Sequence, residues 1–308
     1  MSIVEKPLKN WDQKLRYQKH KYPQCSCGSC PKFFCNILSV GSRGTGKTYG
    51  MCLLIKHWES NKILDENGNQ REIRTWLISP TIQANTVWNS LRSLDIGKDV
   101  REDYDDNTLK DILEEIKVTK KESEDYMNYI NAYEKYMRLE DYELHKLKNE
   151  DLVILASYNF IEPEMLPLPK YKFPPINILL LDDLLGSSCF NNKKTSFFQK
   201  QLIQNRHHQV CYAILVQAIK SVPKSIRLNC NVIVLYKFAN ILKICDDCYE
   251  EVSATLTEQE FINLYMYAID KEYGSLVIDM TGKKNRFLCG WNTELFLSNN
   301  NIKQNDES

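Results

Sequence analysis

The segment at 41–48, GSRGTGKT, limits what this chain can fold into more than any other feature of the sequence. It fits the pattern G-x-x-x-x-G-K-[ST], follows the apolar run 33–40 and precedes a helical pattern over 49–58. Glycines let backbone N–H groups close around phosphate oxygens, and the positive end of the next helix dipole strengthens the binding. The segment therefore predicts a phosphate-binding P-loop between a buried strand and a helix.

Each position of the predicted P-loop has a chemical role. Lys47 would reach the β- and γ-phosphates of a nucleotide, and the hydroxyl of Thr48 would bind Mg²⁺. Guanine-specific GTPases use Asn-Lys-x-Asp, whereas the nearest string here, at 61–64, is Asn-Lys-Ile-Leu, so a GTPase switch is not expected. The residues predicted to surround the phosphates are Gly41, Ser42, Arg43, Gly44, Thr45, Gly46, Lys47 and Thr48.

Three further polar residues stand where apolar runs end. Asp182 and Asp183 follow the run 176–181, and Gln217 follows the run 211–216. Asp182 would hold Mg²⁺ through water, and Asp183 would orient and deprotonate the water that attacks the nucleotide. Gln217 would sense the γ-phosphate or hold the same water. In the alternative interpretation, the aspartates form a strand-end turn and Gln217 is a loop or helix-cap amide.

Apolar runs alternate with helical patterns along most of the chain. Such runs are typical of strands in a parallel sheet that is covered on both faces. The runs at 275–279 and 286–291 flank a Thr-Gly turn and predict a hairpin. We therefore expect an α/β fold with a mainly parallel central sheet flanked by helices and a C-terminal β-hairpin. The predicted strands of the sheet are 33–40, 74–79, 176–181, 211–216 and 232–238, and the predicted helices are 49–58, 83–94 and 196–206.

Charge is balanced over the whole chain but unevenly distributed along it. Lys and Arg number 40, as do Asp and Glu, so a uniformly basic DNA-binding surface is excluded. Residues 1–50 hold nine basic and two acidic side chains, whereas 95–151 holds ten basic and 18 acidic ones. The basic start either contacts a polyanion or is a solvated, partly mobile terminus. The predicted segments are a basic N-terminal segment 1–32, an ATPase domain 33–298 with a helical, acidic insertion at about 95–170, and a disordered tail 299–308.

One stripe of apolar and aromatic side chains lies inside the predicted insertion. Its spacing of three, four and seven residues is typical of one face of an amphipathic helix. The first interpretation is a helix packed on the body of the protein or on a partner helix, and the alternative is a tyrosine platform that stacks bases. The stripe consists of Tyr126, Tyr129, Ile130, Tyr133, Tyr136 and Met137.

The eleven cysteines are too few for a disulfide scaffold in 308 residues. The first twenty residues do not resemble a secretory signal, and no apolar run reaches the ~18 residues of a membrane span, so we expect reduced thiols and no membrane partner. Cys25, Cys27 or Cys30 could form a zinc site with Cys245 and Cys248, and free thiols are the alternative. Cys35 lies inside the first strand and is expected to be a small core residue.

Taken in order along the chain, these motifs resemble those of the viral genome-packaging ATPases of the FtsK–HerA superfamily, the poxvirus A32-like group of large DNA viruses and virophages. The resemblance covers about 33–291, apart from the insertion. Many superfamily members have Asp-Glu where this chain has Asp182-Asp183, which is a mild departure. The motifs are Val40 to Thr48, Ile78-Ser-Pro-Thr-Ile82 followed by Trp88, Leu180-Leu-Asp-Asp183, Asn205-Arg-His-His208, Leu215-Val-Gln217 and Pro223 to Asn229.

The resemblance implies a RecA/ASCE-like P-loop NTPase that forms a homo-oligomeric ring, a hexamer or a pentamer. Such a ring would use ATP and Mg²⁺ to move double-stranded DNA into a preformed capsid, holding the DNA backbone without sequence preference and contacting viral capsid proteins. The site of action would be the host cell cytoplasm, where virus assembles, or the virion. Gln217 would be the polar sensor, and Arg206 would be an arginine finger that completes a neighbour's site, with Arg227 as the second candidate.

Two other functions are compatible with a P-loop. The first is a kinase that phosphorylates a small molecule, although small kinases usually have a shorter core and an arginine-rich lid, whereas the insertion here is acidic and rich in tyrosine. The second is an assembly protein in which ATP binding switches an interaction surface without motor activity. Stimulation of ATP hydrolysis by duplex DNA separates the motor from both alternatives.

Overall fold

A computed structural model describes residues 22–139, 145–184, 186–190, 196–238, 240, 248–250, 253 and 255–297. Most of the predicted basic segment and the predicted tail lie outside these residues. The strands are β1 (Gln24–Cys25), β2 (Asn36–Val40), β3 (Ile63–Leu64), β4 (Ile73–Ile78), β5 (Val100–Arg101), β6 (Ile176–Asp182), β7 (Val210–Val216), β8 (Val232–Tyr236), β9 (Ser275–Asp279), β10 (Arg286–Cys289) and β11 (Thr293–Leu295). The α-helices are α1 (Lys47–Ser60), α2 (Asp106–Met137), α3 (Asn149–Ser157), α4 (Phe197–Ile203), α5 (Asn205–His208), α6 (Lys224–Arg227) and α7 (Glu258–Ile269).

Nine of these strands form one sheet in the order β11-β10-β9-β8-β2-β7-β6-β4-β5. The six strands from β8 to β5 are parallel to one another, and β9, β10 and β11 extend the sheet in antiparallel register. The P-loop strand β2 is separated from β6 by β7, which is the strand insertion that defines the ASCE type of P-loop fold. The predicted fold class is therefore confirmed, including the mainly parallel sheet and the C-terminal hairpin.

The central strands are buried along their whole length because helices cover both faces of the sheet. Every residue of β2, β6, β7 and β8 is buried. Their side chains alternate between two apolar clusters, so that Leu38 belongs to one cluster and Ile37 to the other. Cys35, predicted to be a core residue, is 1% exposed.

Helix α2 joins the sheet to a small separate core. Its first half places Leu109, Ile112 and Ile116 in one of the two sheet clusters. Its second half packs against α3, where Tyr129 is fully buried and its ring centroid lies 4.8 Å from that of Tyr158. The tyrosine stripe is thus used for packing at Tyr129, as the first interpretation predicts, and not as an open platform there. Among the described residues, every helix is too short or too polar to cross a lipid bilayer.

Three predicted elements differ from the structure. The helix predicted at 83–94 is wrong: two short 3₁₀ helices, Ile82–Ala84 and Thr86–Ser90, stand there. The Asn85 side chain accepts the backbone N–H of Val87 and so starts a new turn in place of a continuing helix. The helix predicted at 196–206 is divided into α4 and α5 at Gln204, and the side-chain amide of Asn205, directly after the break, donates to the Phe34 carbonyl. The C-terminal hairpin also has a third strand, β11, that the sequence pattern did not predict.

Candidate nucleotide-binding site

The candidate site lies at the carboxyl edge of the parallel sheet, where β2, β7 and β6 end side by side. Register aligns the three ends, since Val40 pairs with Val216, and Leu215 pairs with Asp182. The P-loop follows β2, Gln217 follows β7, and Asp182 closes β6. The fold therefore brings together the P-loop, the acid pair and Gln217, which the sequence predicted separately. Ligands of open α/β sheets bind at this edge.

The P-loop is closed by contacts that need its glycines. Gly44 and Gly46 have φ angles of 78° and 96°, which side chains other than glycine rarely adopt, and α1 begins directly after Gly46. A Cβ atom on Gly41 would lie 2.6 Å from Cβ of Tyr236, so no larger residue fits there. The Thr45 hydroxyl donates to the Ser42 carbonyl at 2.8 Å and holds the turn between them. This backbone directs N–H groups and a helix N-terminus toward one small volume.

Lys47 folds back over the loop. Its Nζ donates to the carbonyl oxygens of Gly41 and Ser42 at 2.8 and 2.9 Å. Burial lowers the pKa of Lys47, while the charges of Asp182 and Asp183 raise it. A phosphate that enters the loop would offer this ammonium group charged oxygens in place of neutral carbonyls. Thr48 is half-buried in the first turn of α1, and Arg43 is exposed.

The two aspartates differ in environment. Asp182 is only 5% exposed, and burial together with the charge of Asp183 raises its pKa to about 6, although Lys47 acts in the opposite direction. Asp183 lies just beyond the strand with φ 55°, a left-handed conformation that aspartate tolerates. The Gln217 amide donates to Oδ1 of Asp183 at 3.0 Å. A buried carboxylate beside a hydroxyl-bearing P-loop suits a hard divalent cation, so Thr48 and Asp182 fit Mg²⁺.

Sequence reasoning missed five residues that shape the site, namely Tyr49, Gly50, Tyr236, Tyr273 and Trp291. The Tyr273 ring packs over Gly46, where a Cβ atom would lie 3.0 Å from it, and its centroid is 6.2 Å from that of Tyr49. Gly50 must be glycine because the hydroxyl of Tyr236 occupies the position of a Cβ. Its carbonyl accepts the indole N–H of Trp291 at 2.8 Å. The sequence signal was weak: a glycine inside a helix, one turn after the P-loop.

The two candidate finger arginines belong to α5 and α6, outside the strand ends that form this site. Arg206 belongs to α5, which immediately precedes β7, so it lies near the amino edge of the sheet, about 23 Å from the carboxyl edge at 3.3 Å per residue of a seven-residue strand. Its guanidinium lies 5.7 Å from the ring centroid of Tyr22. Arg227 ends α6 in the crossover to β8 and is half-buried. Arg206 therefore does not reach the P-loop of its own chain.

The predicted cysteine combination is wrong for Cys248. Cys25, Cys27 and Cys30 lie together, and Cys25 and Cys30 pack against the apolar cluster on one face of the sheet. Cys248 is buried in the cluster on the opposite face, so the sheet separates it from the other three. Cys245 lies outside the described residues.

No family model matches this chain, and no curated protein is significantly similar to it. Among solved structures, the genome packaging NTPase B204 from Sulfolobus turreted icosahedral virus 2 in complex with AMP is 10% identical, with a TM-score of 0.46 over 82% of this chain and 96% of B204. Its AMPPCP complex gives 11% identity and a TM-score of 0.44 over the same shares. EssC (ATPases 2 and 3) from Geobacillus thermodenitrificans gives 15% identity and 0.41, over 83% of this chain and 39% of EssC. In its motifs the chain resembles viral packaging ATPases, and these solved structures of ATPases are similar to it.

Proposed function

We propose that this protein is an ATP-hydrolysing motor that translocates double-stranded viral DNA into a preformed capsid. The observation that carries the proposal is the convergence of the P-loop, Asp182 with Asp183, and Gln217 on three neighbouring strand ends. Gln217 stands on the strand between the P-loop strand and the acidic strand, where its amide can respond to the nucleotide. The hydrogen bond between Gln217, as sensor, and Asp183, as general base, is suited to coupling hydrolysis to movement.

The residues divide the work of hydrolysis among them. The loop N–H groups and Lys47 bind and orient the phosphates. Bound Mg²⁺ would neutralise charge on the phosphate oxygens, and Thr48 and Asp182 are the residues placed to hold it. The Asp183 carboxylate accepts a proton from the attacking water, and Gln217 keeps that carboxylate oriented through its hydrogen bond. Arg206 does not reach the P-loop of its own chain, and it would supply positive charge to the nucleotide site of a neighbouring subunit.

The DNA contact is expected to be electrostatic and local. A motor must pass every sequence of its genome, so it should hold phosphates and not base edges. The chain as a whole is neutral, and the basic side chains of 1–50 are one source of a positive lining that a ring would multiply. Binding should weaken with salt at a slope of about −0.9 per phosphate neutralised.

The decisive experiment measures ATP hydrolysis with and without duplex DNA. We expect duplexes of unrelated sequence to stimulate ATP hydrolysis equally, and we expect high salt to abolish this stimulation. The active particles should be larger than one chain. The Lys47→Ala protein is the matched control, and it should show no hydrolysis in either condition. Phosphate transfer to a small acceptor without DNA would make the protein a kinase. ATP binding with very slow turnover in both conditions would favour a nucleotide-regulated assembly protein.

A further inference from the structure

A cluster of thiols lies at the opposite end of α1 from the P-loop. The Sγ atoms of Cys25, Cys27 and Cys30 all lie within 4.8 Å of one another, and Cys27 Sγ is 3.1 Å from each of the other two. Three thiolates around one zinc ion at 2.3 Å stand about 3.8 Å apart. The cluster therefore needs only small side-chain shifts to become three corners of a tetrahedron. At 3.1 Å the sulfur atoms are far beyond the length of a disulfide bond.

The backbone holds these thiols in place. Strand β1 pairs with β3, so that Cys25 lies opposite Ile63, and the N–H of Ser26 donates to the Lys62 carbonyl at 2.8 Å. The turn then reverses at Gly28, with φ 67°, where the N–H of Gly28 donates to the Cys25 carbonyl. A loop fixed on both sides in this way loses little further entropy when it binds an ion.

A candidate fourth ligand stands on α1. His57, in the last turn of α1, lies beside Cys27. Of these four described residues, only the three sulfur atoms lie within 4.8 Å of one another, so the imidazole has to turn toward them to complete a tetrahedron. Structural zinc sites combine three cysteines and one histidine in a closed tetrahedron. We propose that Cys25, Cys27, Cys30 and His57 bind a structural zinc ion that fastens the chain before β2 to the end of the P-loop helix.

Contacts with the β9–β10 hairpin hold the cysteine loop in place. The guanidinium of Arg286 donates to the Ser29 carbonyl at 3.0 Å, inside the cysteine loop, and pairs with Asp279. The Lys32 backbone N–H also donates to the Thr281 hydroxyl at 3.1 Å. The loop thus lies between α1 and the β9–β10 hairpin, and its ion would connect both to the start of the sheet.

The test is the metal content of the full chain purified under reducing conditions, measured by elemental mass spectrometry and by release to a chromogenic chelator. We expect one zinc per chain, loss of zinc in Cys27→Ser and Cys30→Ser, and faster release in His57→Ala. Cys289→Ser and His207→Ala, which change residues outside the cluster, should keep the ion at the original release rate. Removing the zinc should also lower the melting temperature of the unaltered protein, and returning it should restore that temperature.

Cobalt substitution keeps the proposal testable if the cysteine variants fail to fold. The unaltered protein loaded with Co²⁺ should show the intense visible bands of a tetrahedral thiolate site, and His57→Ala should shift them. A metal-free protein that does not take up zinc, or one in which mass spectrometry finds a Cys27–Cys30 disulfide after reducing purification, would overturn the assignment. Cobalt bands that are unchanged in His57→Ala would remove histidine from the ligand set.

Discussion

The two edges of the parallel sheet use polar side chains in opposite ways. At the carboxyl edge, a buried carboxylate, Asp182, has its pKa raised to about 6 by burial and by Asp183. At the amino edge, the side-chain amide of Asn36 donates to the carbonyls of Leu202 and Asn229 at 3.0 and 2.8 Å, and its Oδ1 accepts from Asn205 at 3.0 Å. The carboxyl edge thus keeps a buried charged group at a cost in stability. The amino edge instead holds neutral side-chain amides whose hydrogen bonds are made within the protein.

The difference shows where ligand binding can contribute to stability. A desolvated carboxylate costs free energy that a bound cation offsets, whereas a fully bonded amide has nothing left to gain from a ligand. We therefore expect substitutions at the carboxyl edge to remove activity, and substitutions of the hydrogen-bonded amides at the amino edge to remove stability. The predictions below test that division in order of expected effect.

Lys47→Ala should have the largest effect. Its ammonium group is the positive charge nearest the expected phosphates, so hydrolysis should fall by roughly 10³-fold or more. The fold should survive, because Lys47 contributes only two hydrogen bonds to loop carbonyls. Phosphate release and thermal unfolding on the same preparation measure both effects. Hydrolysis at the original rate would refute the P-loop assignment.

Arg206→Ala tests whether an amino-edge residue can act on chemistry through a neighbour. Arginine fingers contribute about 10³–10⁵ to the rate, so the variant alone should be almost inactive. Mixing it with Lys47→Ala should restore part of the hydrolysis, because some interfaces then pair an intact P-loop with an intact Arg206. Arg227→Ala serves as the comparison. If mixed rings assemble without recovering activity, Arg206 is not the finger and Arg227 takes its place.

Asp183→Asn and Asp182→Asn should separate base from metal ligand. Loss of a general base costs about 10²–10⁴ in rate, so Asp183→Asn should bind ATP with nearly unchanged affinity and turn over slowly. Asp182→Asn should also weaken the Mg²⁺-dependent part of binding. Titration calorimetry with and without Mg²⁺ distinguishes the two. Equal loss of affinity in both variants would contradict the proposed division of roles.

Because the pKa of Asp182 is raised, both the stability and the activity of the protein should depend on pH. Because its pKa in the folded protein lies above the ordinary value of 3.8, this group stabilises the fold most below pH 3.8 and loses that contribution as pH rises through about 6. At pH 7 to 8, Asp182→Asn should therefore raise the free energy of unfolding, by about 1–3 kcal/mol. ATP hydrolysis by the unaltered protein should instead fall as the pH drops below about 6, because the protonated carboxyl group of Asp182 binds metal poorly. Stability of Asp182→Asn equal to that of the unaltered protein at pH 8 would contradict the raised pKa.

Asn36→Ala tests the amino edge. Removing its amide leaves the carbonyls of Leu202 and Asn229 and one N–H of the Asn205 amide without this partner, at a cost of about 2–3 kcal/mol in the free energy of unfolding. The rate per folded molecule should stay unchanged, because Asn36 is at the far end of β2 from the P-loop. Denaturant unfolding measures the loss, and Asn67→Ala, in an exposed turn, is the control. A lost rate with full stability would reverse the division between the two edges.

Much of the carboxyl edge could be predicted from sequence because its signals are local. The P-loop spans eight consecutive residues, and Asp182 and Gln217 each stand directly after an apolar run. The amino edge could not be predicted, because its hydrogen bonds join Asn36 to Asn205 across 169 positions and depend on the order of the strands. An asparagine beside a strand also has an equally good explanation as a turn residue. The misassigned helix at 83–94 has two causes: the Asn85 cap on Val87 is a local contact, whereas the burial of Trp88 depends on the folded packing.

Tyr273→Ala should have the smallest effect. It tests whether the binding site at the carboxyl edge includes a contact with the base of the nucleotide. Tyr273 precedes β9, and it reaches the P-loop only because β9 pairs with β8 so that Ser275 lies opposite Tyr236. The ring is 57% exposed and lies over Gly46, which leaves a face open to an adenine. Stacking of a base on an aromatic ring is worth about 1–3 kcal/mol, so the dissociation constant for ATP should rise by about tenfold. Tyr273→Phe keeps the ring and should bind ATP normally, as should Tyr267→Ala, which changes a tyrosine of similar exposure on α7. Inorganic triphosphate has no base, so its affinity should be equal in Tyr273→Ala and the unaltered protein. A matching loss of triphosphate affinity would mean that Tyr273 supports the shape of the P-loop and does not contact the base.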